Sequence, residues 1–184
     1  NIIVTSQKDG FELHDLLYTA LESNKIFSIR YGKINTEYTD TYEPKLLKIG
    51  KWETLTKGND IILLSVGSMV QHALEVYDLF KRNDNIDIEI VNCRFIKPMD
   101  ESYLKSLINR FQAILTIEEG VIVGGFGDGV SSWLLENNYQ GSIKRLGFPD
   151  KFIQHGKRDE LLSDICLDES GIIDTIKSMI KIKS

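Results

Sequence analysis

A glycine-rich turn is the segment of this sequence whose residue types most resemble a binding site. Gly124, Gly125, Gly127 and Gly129 follow an apolar run and precede a helix-forming segment, an arrangement that can hold a phosphate against the free amides of a helix start. The run lacks the last glycine of G-x-G-x-x-G, and no Gly-Lys-Ser/Thr follows, so neither nucleotide-binding fingerprint is complete. Asp128 lies where the helix begins, and we expect its carboxylate to cap those amides. The pattern therefore favours a tight strand-to-helix turn over an anion site.

Glu118 and Glu119 offer a second candidate chemistry, general acid/base catalysis by paired carboxylates. Adjacent residues of a strand point to opposite faces of the sheet, so these two carboxylates cannot converge on one substrate atom. We predict that one of them faces a cleft while the other faces solvent or a subunit partner. A catalytic pair is not expected here.

Histidine and cysteine residues give no metal-binding spacing. His14 and His72 fall in helix-like segments without a His, Cys or Asp partner at ligand spacing. Cys93 and Cys166 are the only cysteines and are expected to be reduced thiols. The sequence therefore predicts no metal site in this chain.

Length, composition and charge narrow the class of protein. The chain has 184 residues, 42% hydrophobic residues and a net charge of −5, so a basic nucleic-acid-binding surface is not expected. No apolar run approaches the roughly 18 residues that span a bilayer, and no signal or transit peptide is visible. Because the sequence opens abruptly in a strand-like run, we expect an internal piece of a longer polypeptide.

Strand-like and helix-like segments alternate along the chain. The almost wholly apolar run from Ile61 to Val66 predicts a strand covered on both faces. Helix starts are predicted at Asp9, Ser68, Asp100 and Asp168, each before a helically spaced apolar stripe. This order indicates an α/β fold: an open, mostly parallel sheet with helices on both faces.

The sequence divides into three parts. The pattern of residues 1–34 predicts a strand, a helix and a second strand. This unit alone is too small to bury both faces of its strands. Residues 35–45 are polar and without periodicity, as in a linker, and residues 46–184 carry the main α/β pattern. Residues 45–56, where the linker meets the last part, are β-prone.

Several stretches in collinear order resemble transketolase-type, thiamine-diphosphate-dependent enzymes, and among these the 1-deoxy-D-xylulose-5-phosphate synthases in particular. Some stretches also resemble the pyruvate dehydrogenase beta subunit, whereas Leu-Gly-Phe-Pro-Asp and the Asp-Leu-Leu-Tyr-Thr-Ala-Leu helix favour the synthases. The stretches that carry the resemblance are Lys8–Leu21, Ser28–Tyr31, Val91–Asp100, Thr116–Gly120 with Gly124–Gly127, and Leu146–Asp150 with Phe152, Ile153, His155 and Gly156.

The resemblance implies a function for the longer protein. These synthases are transferases that join pyruvate to glyceraldehyde 3-phosphate with loss of CO2, giving 1-deoxy-D-xylulose 5-phosphate for isoprenoid (terpenoid) precursor synthesis. Residues 1–34 would be the tail of the pyrimidine-binding second domain, and residues 46–184 the transketolase-type C-terminal third domain. Thiamine diphosphate, Mg2+ and the catalytic residues would belong to upstream domains of a homodimer. We therefore expect this chain to hold no cofactor, to be inactive alone, and to serve domain packing and dimerisation in a bacterial cytosol or a plastid-type organelle, without secretion.

The resemblance also implies candidate site residues. Where the family has Arg-Tyr-Pro-Arg-Gly, this chain has Arg30-Tyr31-Gly32-Lys33-Ile34. Lys33 matches the second arginine and is expected to contact the substrate phosphate, although a lysine offers a point charge without the bidentate fork. Arg30 is either a second phosphate ligand or an ion-pair residue of the structure or an interface. His155 lies either at the mouth of the active site or in a surface loop, and the loop from Arg94 to Lys97 is expected to dock against the neighbouring domain.

Other functions remain open at this level. The chain could be the C-terminal domain of a 2-oxo acid dehydrogenase beta subunit or of a transketolase. It could also be a free-standing Rossmann-like module that binds a nucleotide or a protein. The upstream sequence and the reaction product would separate these alternatives.

Overall fold

A computed structural model describes residues 1–32, 39, 41–83 and 86–180, except for the side chain of residue 83. The strands are Ile2–Ser6 (β1), Ile26–Arg30 (β2), Glu53–Thr56 (β3), Ile61–Ser65 (β4), Ile88–Asn92 (β5), Phe95–Lys97 (β6), Ala113–Val121 (β7) and Ser142–Phe148 (β8). The helices are Gly10–Glu22 (α1), Met69–Asn83 (α2), Glu101–Leu107 (α3), Phe126–Glu136 (α4), Arg158–Asp164 (α5) and Glu169–Ile180 (α6). None of the described helices has the length and apolar character needed to cross a bilayer.

The larger sheet has five strands in the order β3-β5-β4-β7-β8. Strands β5, β4, β7 and β8 are parallel to one another, and only β3, at the edge, is antiparallel. All five residues of β4 are buried, as the unbroken apolar run predicts for a central strand. The mostly parallel α/β sheet is thus confirmed, although the β-prone segment over residues 45–56 is a strand only at Glu53–Thr56.

The smaller sheet has three strands in the order β2-β1-β6. β1 and β2 are parallel and joined by α1, whereas β6 pairs antiparallel with β1. β6 comes from the chain after β5, so the two parts of the sequence share one sheet. The segment from Arg94 to Lys97 therefore contacts the first part of the chain through backbone pairing, including the bond from the Ser6 amide to the Arg94 carbonyl at 3.0 Å.

Two apolar cores cover the two faces of the five-stranded sheet. One core contains Leu104 and Leu107 of α3 and Phe126 and Val130 of α4, together with residues of the three-stranded sheet. The other core joins α2, α5 and α6 to the opposite face. Helices therefore lie on both faces, as expected for a sheet of this kind.

Aspartates begin three helices as predicted. Asp9 accepts the Glu12 amide at 2.8 Å, Asp100 accepts the Tyr103 amide at 3.1 Å, and Asp168 accepts the Gly171 amide at 2.9 Å. Each bond satisfies an amide that has no partner within its own helix. Ser68 is different, because its hydroxyl donates to the Glu119 carboxylate at 2.6 Å.

Asp100 also ties the segment before β3 to the start of α3. Its carboxylate accepts hydrogen bonds from Lys51 Nζ at 2.8 Å, from the Ser102 hydroxyl at 2.6 Å and from the Trp52 amide at 3.2 Å. Burial alone would raise the pKa of this carboxyl, but these hydrogen bonds outweigh burial and lower the pKa below its ordinary value. The folded state therefore favours the charged carboxylate.

We expect Asp100→Ala to lower the free energy of unfolding by about 2 kcal/mol at pH 7, since a helix cap and charge-assisted hydrogen bonds are lost. A carboxyl whose pKa is lowered on folding stabilises the protein above its unfolded pKa of about 4, and that stabilisation is lost as the pH falls through the folded value. Urea titrations of both proteins between pH 7 and pH 3 should show the difference shrinking below about pH 4. An unchanged difference across that range would contradict the assignment.

Candidate functional site

A cleft of about 320 Å³ lies where the two sheets meet at the carboxyl ends of their strands. Ser6 and Arg30 end β1 and β2, and Glu119 and Phe148 lie at the carboxyl-terminal parts of β7 and β8. Ser68 follows β4 on the same side. In open α/β sheets ligands bind at this edge, so the cleft is the first candidate for a binding site.

A bidentate ion pair forms one wall of this cleft. Arg158 donates to Glu119 through Nε at 3.1 Å and through Nη2 at 2.8 Å, while the Ser68 hydroxyl donates to the same carboxylate. Burial raises the pKa of the Glu119 carboxyl, but the hydrogen bonds from Arg158 and Ser68 outweigh it and lower the pKa below its usual value. Glu119 is therefore a charged partner that holds Arg158, and the proton it would need as a general acid is disfavoured.

Arg30 is the cation of the cleft that has no carboxylate partner among the described residues. Its side chain is exposed at the end of β2, and it lines both the first cleft and an adjacent groove of about 630 Å³. The described part of the chain contains no ion pair to Arg30, whereas Arg158 is neutralised by Glu119. An incoming anion would thus meet Arg30 first.

Lys97, on β6, lies near Arg30 of β2. The strand β1 separates these two strands in the three-stranded sheet. Both side chains line the 630 Å³ groove together with apolar residues such as Pro98 and Val123. The groove therefore combines apolar side chains with two basic side chains and with the carboxylates of Glu101 and Glu118.

The Glu118 carboxylate lies at the start of α4, where the helix amides could otherwise bind an external anion. Its carboxylate accepts the Phe126 amide at 2.9 Å and the Gly127 amide at 2.8 Å, and the residue is only 5% exposed. The prediction that Asp128 caps these amides is wrong, because Asp128 accepts the Gly124 amide at 3.0 Å and pairs with Arg145 instead. Glu118 and Glu119 have separate partners, but both line the 320 Å³ cleft, so the expectation that only one of them faces a cleft is not met.

Glycine is required around the Glu118 carboxylate. A Cβ on Gly125 would lie 2.6 Å from Glu118 Oε1 and 2.2 Å from the Val121 carbonyl oxygen. A Cβ on Gly127 would lie 2.3 Å from the Thr116 hydroxyl oxygen. The glycine-rich turn therefore serves close packing against a side chain of this chain. The Phe126 and Gly127 amides, which a diphosphate would need, are taken by Glu118.

A buried charged cluster joins the first part of the chain to the larger sheet. Arg94 contacts Glu12 of α1 through Nε at 3.0 Å and also pairs with Glu53 of β3. Asn92 and the Lys8 amide each donate to Glu12 at 2.7 Å. Because the Glu12 side chain is 1% exposed and that of Arg94 10%, this cluster replaces water for both charges. Arg94 thus contributes side-chain as well as backbone contacts to the docking of the two parts.

The predicted site residues differ in where they lie relative to the clefts. Lys33 lies outside the described residues. Arg30 lines the cleft. His155 is exposed in the loop between β8 and α5, and it is not among the described residues that line either cleft. The alternative roles of His155 and Arg30 stay predictions.

Sequence reasoning missed Arg158 and the contact from Arg94 to Glu12. Neither arginine belongs to a local motif, and each partner is distant in sequence. The one available signal was the type of residue, because a carboxylate within a mostly apolar run, such as Glu118 or Glu119, needs a polar partner when buried. Among the described residues that line the clefts, Arg30 is a basic side chain available to an anion, whereas the Ser68 hydroxyl donates to a carboxylate that Arg158 already holds.

Comparisons with known proteins place these features in a family context. The family model described as "Transketolase, C-terminal domain" matches residues 50–172. The chain is 39% identical over 182 residues to 1-deoxy-D-xylulose-5-phosphate synthase of Aquifex aeolicus (strain VF5), which covers 98% of this chain and 29% of that protein. It is 37% identical over 186 residues to the synthase of Bacillus cereus (strain AH820), covering 100% of this chain and again 29% of the relative.

A solved structure shares the fold over the whole chain. It is described as "Split gene transketolase, inactive beta4 tetramer" and superposes with a TM-score of 0.86 at 23% sequence identity, covering 100% of this chain and 59% of that one. At this identity the likeness concerns the fold. The chain spans 29% of the length of the curated relatives named above.

Proposed function

Because this chain belongs to the transketolase C-terminal domain family, we propose that it is the C-terminal portion of a thiamine-diphosphate-dependent 1-deoxy-D-xylulose-5-phosphate synthase. The reaction joins pyruvate to glyceraldehyde 3-phosphate with loss of CO2. Support comes from similarity to such synthases over 98–100% of the chain. Thiamine diphosphate and Mg2+ would be held by upstream domains, since Glu118 takes the amides that could bind a diphosphate here. The same occupancy disfavours a free-standing nucleotide-binding module.

The observation that carries the proposal for this chain is the position of Arg30. Its guanidinium faces a cleft at the carboxyl ends of the strands without an ion-pair partner in the described part of the chain. A guanidinium binds phosphate oxygens through two parallel hydrogen bonds. We therefore assign to Arg30 the phosphate of the aldehyde substrate, with Lys33 as a second proposed cation and His155 as a proposed contributor at the cleft mouth.

Substitution of Arg30 in the complete synthase tests this assignment. We expect Arg30→Ala to lower kcat/KM for glyceraldehyde 3-phosphate by about 10- to 100-fold, because a charge-assisted contact contributes roughly 1.5–3 kcal/mol. Steady-state kinetics should show the loss with the phosphorylated aldehyde and little change in KM for pyruvate. Unphosphorylated glyceraldehyde provides the matched substrate, and its kcat/KM should change little.

Two further variants sharpen the same assay. Arg82 is an exposed arginine on α2, far in the fold from the clefts, so Arg82→Ala serves as the charge-matched control. Lys33→Ala should raise KM for the phosphorylated aldehyde if Lys33 replaces the family arginine, and an unchanged KM would remove Lys33 from the site. An unchanged kcat/KM in Arg30→Ala would remove Arg30. Product analysis of the unsubstituted enzyme separates a synthase from a 2-oxo acid dehydrogenase or a transketolase.

The second proposed role is domain packing and dimerisation. Exposed apolar side chains lie on α1 and at the start of β1 and β2, with Leu21 81% exposed and Ile26 67% exposed. Such a patch is typical of a surface that another domain or subunit covers. Upstream domains of the same enzyme and a second copy in a homodimer are the proposed occupants. The solved relative is described as an inactive tetramer, and we propose that the isolated 184-residue chain is likewise inactive.

A further inference from the structure

A cluster of three side chains with metal-ligating atoms lies between α2 and α6, on the sheet face opposite α4. His72 Nδ1 is 2.5 Å from Glu169 Oε1. Glu75 adds a carboxylate, and one potential ligand atom from each of the three residues lies within 4.8 Å of the other two. The sequence does not reveal this cluster, because Glu169 comes from a helix that is remote in the chain from His72 and Glu75.

The helices hold this cluster in a fixed frame. His72 and Glu75 are three residues apart and therefore share one face of α2. Ala73 and Val76 of α2 and Ile172 and Ile176 of α6 lie in the same buried core, which fixes the two helices relative to each other. The His72 side chain is 19% exposed and that of Glu169 37% exposed, so a cation could enter from solvent.

The two carboxylates of the cluster have no lysine or arginine ion-pair partner among the described residues. Within the described residues neither Glu75 nor Glu169 forms an ion pair with a lysine or an arginine, and the additional contact to Glu75 comes from the neutral Gln71 amide at 3.3 Å. Two carboxylates and one imidazole thus face one another, and among the described residues neither carboxylate is ion-paired with a lysine or an arginine.

We propose that His72, Glu75 and Glu169 form a binding site for a divalent first-row transition cation, with zinc as the best match. An imidazole with two carboxylates suits zinc, whereas Mg2+ prefers oxygen ligands alone. In a tetrahedral zinc site, ligand atoms are roughly 3.3 Å apart at bond lengths of about 2.0–2.2 Å. Side-chain rotation can bring the three donor atoms to that separation. The cation would replace the hydrogen bond between His72 and Glu169, and solvent would complete the coordination.

Isothermal titration calorimetry of the 184-residue chain with ZnCl2 tests the site. We expect one Zn2+ per chain. His72→Ala and Glu169→Gln should each weaken zinc binding at least about tenfold, because even the loss of a residue that only hydrogen-bonds to a metal ligand changes metal affinity by about that factor. His155→Ala is the matched control, because His155 is exposed and does not belong to the cluster, and it should bind as the unsubstituted chain does. Excess MgCl2 should not compete.

A second measurement keeps the proposal falsifiable if a variant is less well folded. A cation that bridges α2 and α6 binds the folded state, so zinc should raise the melting temperature of the unsubstituted chain and of His155→Ala, but not of Glu169→Gln. Zinc binding that survives both His72→Ala and Glu169→Gln, or that disappears in His155→Ala, would overturn the assignment. Absence of zinc binding by the folded chain would do the same.

Discussion

Replacing Arg94 with alanine is expected to lower the free energy of unfolding of this chain by about 3–5 kcal/mol at neutral pH. The substitution leaves Glu12, whose side chain is 1% exposed, without its buried guanidinium partner. The pair from Arg94 to Glu53 adds less, since Glu53 is 39% exposed and its charge is screened by solvent. Because Glu12 is on α1 and Arg94 follows β5, the loss should also loosen the contact between the two parts of the chain.

The pH dependence of this loss has a definite sign. Burial raises the pKa of the Glu12 carboxyl above its ordinary value, and Lys8 and Arg94 oppose that rise. Without Arg94 the pKa of Glu12 should rise further, so that the folded variant binds a proton more readily than the unfolded chain does. Stability of the variant should therefore recover as the pH falls from 7 toward about 5, the opposite direction to the effect expected for Asp100.

Urea unfolding of Arg94→Ala at pH 7 and pH 5 measures both effects. Arg82→Ala is the control, because Arg82 is exposed on α2 and its removal should change the free energy of unfolding by no more than about 0.5 kcal/mol. A change of less than about 1 kcal/mol in Arg94→Ala would show that solvent already screens the cluster. Protection of the α1 amides from hydrogen exchange should fall more than protection in β4, since β4 lies in the centre of the other sheet.

The second large effect is expected at Glu118. Glu118→Ala removes both acceptors from the Phe126 and Gly127 amides and leaves a helix start buried without partners. We expect a loss of about 3 kcal/mol, since charge-assisted bonds to buried donors contribute roughly 1.5–3 kcal/mol each and do not add fully. Glu118→Gln should lose less, because its carbonyl oxygen still accepts one amide while its NH2 faces the other.

Glu119→Gln provides the neighbouring control. Glu119 is half-buried and pairs with Arg158, which is 42% exposed, so this change should cost no more than about 1 kcal/mol. Thermal unfolding and hydrogen exchange of the first turn of α4 distinguish the two positions. Equal losses at Glu118 and Glu119, or unchanged exchange of the Phe126 and Gly127 amides in Glu118→Ala, would contradict the capping role.

The residues that line the clefts show which features of the site could be predicted from the sequence and which could not. Arg30 became a candidate through its resemblance to a family motif, and it lines a cleft at the carboxyl edge of the strands, while its role as a phosphate ligand stays a prediction. Arg158, which lines the same cleft, has no motif and was found only through its contact with Glu119. The metal-ligand cluster was hidden for the same reason, since Glu169 meets His72 only after α6 packs on α2.

The sequence by itself determined the α/β class, the buried central strand and the aspartate caps of α1, α3 and α6, because periodic burial and capping depend on residues within one or two turns. The tertiary structure alone decided that the three-residue strand β6 joins β1, that Glu118 replaces Asp128 at the start of α4, and that Arg94 pairs with Glu12. A buried charge takes whichever opposite charge or free amide the folded chain brings within about 3 Å, and that proximity is set by packing between elements and not by spacing along the chain.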